Sequence, residues 1–226
     1  MRAIKLSVGL DGTDVSRQPE SPNPTGKEAI LGTFRGAGST RALRGPRFRP
    51  NAMKSTLAES KAVLSRTPAT LSALLQGLPE EWLEAREGEG TFSPRDVVGH
   101  LIHGERTDWV PRIDRILAAG TTKAFVPFDR FGFREAIQGA SIETLLEELA
   151  SLRASNLTYL DGLGLTPAQL SLEGRHPELG VVTLEQLLAT WAVHDLNHIG
   201  QVVRVLSRRH LDTVGPWKAF LRILNE

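Results

Sequence analysis

The segment TLEQLLATWAVHDLNHIGQ, residues 183–201, carries apolar side chains at the spacing of an amphipathic helix. The face that should be buried is marked by four residues: Leu184, Leu187, Leu188 and Trp191. Thr183 and Gln186 fit a capping box, in which each side chain bonds the backbone amide of the other residue. Basic residues near Arg209 suit the negative end of the helix dipole. We therefore predict a long helix from Thr183 to about Arg209.

Two histidines share this buried face. His194 follows Leu187 by seven residues and His198 follows Trp191 by seven, so both imidazoles should point into the protein. A spacing of four residues lets two side chains reach one ion, and imidazole nitrogen suits borderline divalent metals. Two ligands are too few for a tight site, so a third is expected from another helix.

A second predicted helix offers candidates for that third ligand. His100 and His103 lie three residues apart in VVGHLIHGERTDW, residues 97–109, again on one helical face. Three neutral histidines would leave a coordination position open, as in catalytic zinc sites. The alternative without a metal is a set of hydrogen-bonded core histidines. HDLNH also differs from the metalloprotease motif HExxH, because Asp195 replaces the glutamate.

The rest of the ordered chain is predicted to be helical. The expected helices are Lys54–Gln76, Ser93–Ala119 with a kink at Pro111, Ser141–Leu160, Thr183–Arg209 and a short Trp217–Leu224. Long linkers, residues 121–140 and 162–182, join them, and there is almost no alternating strand pattern. We therefore predict an all-α fold, a four-helix bundle with long crossover connections over residues 53–226.

Residues 1–52 differ in composition from the remainder. They carry nine Lys or Arg against four Asp or Glu, together with seven Gly and five Pro. Such a segment buries too little apolar surface to offset its ordering entropy, so we predict a disordered basic leader. An arm that contacts nucleic-acid phosphates is one alternative, whereas the acidic residues argue against a targeting peptide. We favour a leader without function upstream of a misassigned start, with Met53 as the natural first residue.

The absence of cysteine and the hydropathy of the chain exclude several kinds of protein and metal site. The chain has no cysteine and a formal net charge of +1. A disulfide framework and a thiolate metal site are therefore excluded within this chain. No apolar run reaches the roughly 20 residues that a membrane-spanning helix needs. We expect a cytoplasmic protein without a membrane partner.

Three segments, GHLIHGERTDWVPR, HPELGVVTLEQLLATW and VHDLNHIGQ, resemble the DinB superfamily of DinB/YfiT-like metalloenzymes. The resemblance extends over about residues 54–225. It implies a DinB-like four-helix bundle with a long crossover and a divalent metal held by three histidines. By position these ligands are His100, His194 and His198. The implied ion is zinc or nickel, with iron or manganese also compatible.

Five further polar and aromatic residues are expected to lie in the pocket, in the core, in a linker or on the surface rather than to bind the metal. His103 is interpreted as a pocket residue that could shuttle protons, and is the one candidate catalytic residue. Glu105 is expected on a solvated face. Trp109 and Trp191 are expected to be plain core residues. His176 is expected to pack the linker that leads into the fourth helix.

The resemblance also implies a class of reaction. Some family members are similar to thiol-dependent S-transferases, in which the metal binds a low-molecular-weight thiol such as bacillithiol or mycothiol and lowers its pKa. We expect this activity first, with a small-molecule substrate. One alternative is a metal-dependent hydrolase, and another is a non-catalytic metal- or ligand-binding stress-response module. A homodimer is compatible with the family, and nucleic acid is not expected to be a partner.

Overall fold

The computed structural model describes residues 57–225. The predicted disordered leader and the alternative start at Met53 lie outside these residues. The helices and strands of the described part are α1 Leu57–Leu64, α2 Thr67–Leu75, α3 Glu80–Leu83, α4 Pro94–Thr107, α5 Trp109–Ala119, α6 Ile142–Gly162, α7 Pro167–Leu170, β1 Glu173–His176, β2 Gly180–Thr183 and α8 Leu184–Arg208, with 3-10 helices at Gly120–Thr122, Gly215–Phe220 and Arg222–Leu224.

Four rods form the bundle: α1 with α2, α4 with α5, α6, and α8. The predicted four-helix bundle with long connections is therefore confirmed. The prediction of one continuous first helix was wrong, because the chain breaks between Leu64 and Thr67. Pro68, in the first turn of α2, has no amide hydrogen to continue the hydrogen-bonding pattern of α1.

The second rod breaks at Asp108, three residues before Pro111. Proline at position 111 cannot donate to the carbonyl of Thr107, and its ring crowds that same carbonyl. The helix is therefore interrupted just before Pro111, in agreement with the predicted kink at this proline. At the other end of α4, Ser93 and Asp96 form a reciprocal capping box, which sets the start of the helix.

The long linkers contain structure that the sequence patterns did not predict. Strands β1 and β2 form an antiparallel hairpin that pairs Glu173 with Thr183 and Gly174 with Val182. Ala124 bridges to Arg175, so the first linker meets the hairpin. The predicted last helix was wrong in type, because the segment forms 3-10 turns. Within residues 57–225 no helix is both long and apolar enough to cross a membrane.

Two apolar clusters fill the bundle. One joins α2, α4 and α6 with Phe92 and Phe133, and the other joins α1, α5 and α8 through Trp109 and Trp191. His100 contacts Phe92 and Phe133 of the first cluster, whereas His194 contacts Trp109 of the second. The histidines of α4 and α8 therefore lie where the two clusters meet.

Gly99, beside His100, allows the linker to pack closely on α4. A Cβ at position 99 would lie 2.7 Å from Cγ2 of Ile137 and 2.8 Å from Cδ2 of Phe133. We expect Gly99→Ala to lower the free energy of unfolding by about 1–2 kcal/mol, because overpacking exceeds the gain in helix propensity. Urea denaturation of the purified variant measures this change.

The matched control is Gly200→Ala in α8. The Cβ added there would have its nearest neighbour at 3.7 Å, an ordinary contact with the Arg204 side chain. This variant should gain about 0.5–1 kcal/mol of stability, because alanine loses less backbone entropy than glycine in a helix. A Gly99→Ala protein as stable as the control would contradict the tight packing at position 99.

Candidate metal centre

Three histidines from two rods converge at the junction of the clusters. His100 projects from α4, and His194 and His198 project from successive turns of α8. One ring nitrogen from each lies within 4.8 Å of the other two, and within residues 57–225 this is the one such group of three ligand-type side chains. The Nε2 atoms of His100 and His194 are 3.1 Å apart. Two nitrogens bound to one tetrahedral zinc lie about 3.3 Å apart, so this spacing suits a shared ion.

Hydrogen bonds on the opposite ring nitrogens orient two of these imidazoles. Nδ1 of His100 donates to the backbone carbonyl of Arg130 at 3.2 Å. Nδ1 of His198 donates to Oε1 of Gln201 at 3.1 Å. Because each carbonyl oxygen can only accept, the proton of each ring resides on Nδ1 and the lone pair on Nε2. Metal-binding histidines are commonly held by such second hydrogen bonds.

In the part of the chain that the structure describes, the His194 ring lacks the hydrogen bond on Nδ1 that orients the other two imidazoles. Its Nδ1 has no hydrogen-bond partner within the described residues, and it faces Oδ1 of Asp195 at 3.9 Å. That distance is too long for a hydrogen bond, so the interaction is electrostatic. The His194 side chain is 24% exposed, whereas His100 and His198 are buried. His194 is therefore the most exposed of the three histidines.

Burial keeps His100 and His198 neutral. Desolvation, followed by the neighbouring His198 and His194, lowers the pKa of His100 to about 3. Desolvation and His194 lower the pKa of His198 to about 4. Both imidazoles are therefore neutral at pH 7, and only the neutral form has a lone pair for a metal.

Aromatic rings enclose the three histidines. The Phe92 ring lies 5.3 Å from His100 and stacks on His198 at 6.4 Å, between ring centroids. Phe128 lies 5.4 Å from His100, and Trp109 lies 5.2 Å from His194. These apolar walls limit the water around the ring nitrogens and strengthen electrostatic interactions there.

His103 is not one of the three converging histidines. Its ring packs on Phe128 at 5.1 Å, and Phe128 in turn contacts His100. Its Nε2 lies 3.5 Å from the hydroxyl oxygen of Thr107. The proposed catalytic role of His103 therefore stays a prediction.

Glu105 lies in the bundle interior, so the expectation of a solvated face was wrong. The residue is 3% exposed and accepts from Nη2 of Arg153 at 2.7 Å. It also accepts from Nε1 of Trp191 at 3.0 Å and from Nδ2 of Asn156 at 2.9 Å. These partners satisfy a carboxylate that would otherwise be costly to bury.

Arg153 is the centre of this buried network. Its Nη1 donates to Oδ2 of Asp195 at 2.6 Å and to the carbonyl of Leu64 at 2.7 Å. Burial alone would lower the pKa of Arg153, but the charges of Asp195 and Glu105 raise it above its usual range. Burial would raise the pKa of Asp195, but His194 and Arg153 lower it below its usual range. Arg153 and Asp195 are therefore both charged at neutral pH.

Sequence reasoning missed this network, although its spacing was readable. Each charged residue follows a buried apolar residue by four positions, which places it on the inward face of its helix. The pairs are Leu101 with Glu105, Leu149 with Arg153, and Trp191 with Asp195. Helical spacing therefore indicated burial more reliably than the polarity of the side chain.

The expectations for Trp109, Trp191 and His176 agree with the structure. Trp109 and Trp191 are buried and stack at 5.5 Å between ring centroids, as predicted for core residues. Nδ1 of His176 accepts from the backbone amides of Glu178 and Leu179. His176 thus shapes the turn of the hairpin, which is the predicted loop-packing role.

Comparisons with known proteins agree with this architecture. The sequence profile of the DinB superfamily matches residues 64–202. The chain is similar to YfiT from Bacillus subtilis, described as a probable metal-dependent hydrolase with an unusual four-helix bundle topology, at 26% identity, with 71% of this chain and 91% of YfiT covered and a TM-score of 0.60. An uncharacterised protein from Escherichia coli UTI89 shares the fold at 15% identity, with 69% and 95% of the two chains covered and a TM-score of 0.50. No curated protein matches the chain.

Proposed function

The chain belongs to the DinB superfamily, and from this premise we propose that it is a metal-dependent enzyme whose divalent ion is held by His100, His194 and His198. The observation that carries the proposal is the convergence of three ring nitrogens within 4.8 Å. The neutral state of His100 and His198 supports it, because protonated imidazoles could not bind a cation. Zinc or nickel as the native ion, and a homodimer, stay predictions.

A bound divalent ion would act as a Lewis acid and would lower the pKa of a water or thiol that coordinates it. The three histidines are neutral ligands, so they would leave the positive charge of the ion undiminished. Hydrogen bonds from the Nδ1 atoms of His100 and His198 to Arg130 and Gln201 orient these two ligands. The rings of Phe92 and Trp109 restrict water around the imidazoles, and His194 is the histidine that a substrate would approach from solvent, because it is the most exposed of the three.

Hydrolysis is the first candidate reaction. YfiT, the 26% identical structure, is described as a probable metal-dependent hydrolase. An ester or amide would be attacked by water at the exposed side of the cluster. We propose a small-molecule substrate, because the histidines lie between helices and only His194 is partly exposed.

Thiol-dependent S-transfer is the second candidate, and one feature favours it. The two buried carboxylates that interact with His194 are both held by arginine: Asp195 by Arg153 and Asp108 by Arg112. Both carboxylates are buried and paired with an arginine, and the unpaired Oδ1 of Asp195 faces His194, so neither carboxylate is placed as a general base toward water. A thiol needs no such base, because its ordinary pKa of about 8.5 is already near neutral pH and a metal lowers it further.

The two reactions can be separated with one protein preparation. The protein is loaded with zinc or nickel and assayed with p-nitrophenyl acetate, and then with chlorodinitrobenzene plus a low-molecular-weight thiol. Ester hydrolysis that is lost on chelation and unchanged by thiol would establish the hydrolase. Metal-dependent conjugation that requires thiol would establish the transferase. Metal binding without turnover of either substrate would instead favour the non-catalytic binding module.

A further inference from the structure

Arg130 lies beside the histidine cluster, which its backbone contacts directly and its side chain contacts through the ring of Phe92. Its backbone carbonyl accepts from His100, and its guanidinium carbon lies 5.1 Å from the centre of the Phe92 ring. The same Phe92 ring packs on His100 and His198. The positive charge of Arg130 is therefore one aromatic ring away from the imidazoles.

The aromatic contacts hold the guanidinium in place. Its carbon also lies 5.0 Å from the centre of the Phe131 ring, and the Arg134 guanidinium lies 4.3 Å from that ring. Cation–π contacts of this kind orient a guanidinium without neutralising its charge. Two arginine side chains thus flank Phe131 on the linker that covers the cluster.

Neither cation is neutralised by the protein. Over residues 57–225, no carboxylate lies within ion-pair distance of Arg130 or Arg134, whereas Arg95 pairs with Glu80 and Glu84, and Arg112 pairs with Asp108. An arginine held by aromatic rings, with its hydrogen-bond donors free, is arranged to bind an external anion.

We propose that Arg130 binds a carboxylate of the substrate while the reacting end of that substrate lies at the three-histidine centre. The planar guanidinium offers two parallel N–H donors, which match the two oxygens of a carboxylate. This assignment rests on the proposed metal-dependent function and specifies its substrate class. Substrates of this enzyme are small acids, and Arg130 is the residue that selects them.

The test uses thiols as probes of the metal and carboxylate sites together. The full chain is loaded with cobalt(II), and the thiolate-to-cobalt absorption band is titrated with 6-mercaptohexanoate and with 6-mercaptohexanol. A shorter pair, 3-mercaptopropionate and 3-mercaptopropanol, tests the reach. We expect the acid of at least one pair to bind about tenfold more tightly than its alcohol, because a hydrogen bond to a charged group stabilises the complex.

The matched variants are Arg130→Gln and Arg66→Gln. Arg130→Gln keeps the backbone carbonyl that orients His100, so it should keep cobalt and the affinity for the alcohols but lose the preference for the acids. Arg66 lies in the break between α1 and α2 and is exposed, so its replacement removes the same charge elsewhere and should keep the preference. Added salt should weaken the preference in the unaltered protein.

The outcomes separate the two proposals. Equal affinity for acid and alcohol at both lengths, with a clear cobalt band, would overturn the role of Arg130 and leave the metal centre standing. An acid preference that survives in Arg130→Gln would overturn it as well. A chain that binds no cobalt would overturn the metal centre and the Arg130 assignment together.

Discussion

Replacing His198 with alanine is expected to remove the divalent metal from the protein. The substitution takes away one of three ring nitrogens that converge within 4.8 Å, and two histidine ligands are too few to hold a divalent ion through purification. The same loss is expected for His100→Ala and His194→Ala. Metal content by inductively coupled plasma mass spectrometry should fall from about one ion per chain to near zero in each variant.

His103→Ala is the matched control for these variants. His103 lies on α4, three residues from His100, but outside the converging group. This variant should keep its metal, and any loss of turnover would then support the predicted catalytic role of His103. Full metal content in all three ligand variants would show that the ion binds at a site other than the three histidines.

The fold should survive the ligand substitutions. The two apolar clusters that hold the bundle do not include the histidines, so helix content by circular dichroism should change little. If one variant loses both its metal and its helix content, its metal loss could follow from unfolding. The variants at the other two ligand positions would then test metal binding.

Replacing Arg153 with methionine is expected to cause the largest loss of stability. The arginine side chain is 2% exposed and pairs with Glu105 and Asp195, whose side chains are fully buried. Its removal would leave two buried carboxyl groups in the bundle interior without their cation. Loss of one partner from a buried ion pair typically costs about 3–5 kcal/mol of unfolding free energy. Urea denaturation of the metal-free protein, followed by tryptophan fluorescence, measures this change.

Two further variants test the cause of that loss. Arg106 pairs with Glu148 at 2.5 Å and its side chain is 47% exposed, so Arg106→Met should cost less than about 1 kcal/mol. The triple variant Arg153→Met, Glu105→Gln, Asp195→Asn removes the charges together and should be more stable than Arg153→Met alone. If Arg153→Met were no less stable than Arg106→Met, the network would contribute nothing to the fold.

Local patterns in the sequence were enough to predict the long helices of the bundle. Thr183 with Gln186 caps α8 as predicted, and Ser141 caps α6 by accepting from the amide of Thr144. Capping and helical periodicity involve residues three or four positions apart, so the sequence displays them directly. The inward direction of His194 and His198 follows from the same local rule. The bundle and the inward direction of two of the three clustered histidines were therefore predictable from local patterns.

The β1–β2 hairpin was not predictable in this way. Its strands have four residues each, and only Gly174 is buried in β1. A Cβ at Gly174 would lie 2.6 Å from Ile116, so the strand depends on contact with α5. Short strands without an alternating pattern are stabilised by packing against distant elements, which the sequence does not display.

The sequence alone determined which residues lie on the inner faces of the helices, including His100, His194 and His198. Tertiary structure decided which of those residues meet. His100 and His194 are 94 positions apart, and Arg153 meets Glu105 and Asp195 across 48 and 42 positions. These contacts depend on how each rod is rotated and shifted against its neighbours, and that arrangement arises from packing of the whole core rather than from any local spacing.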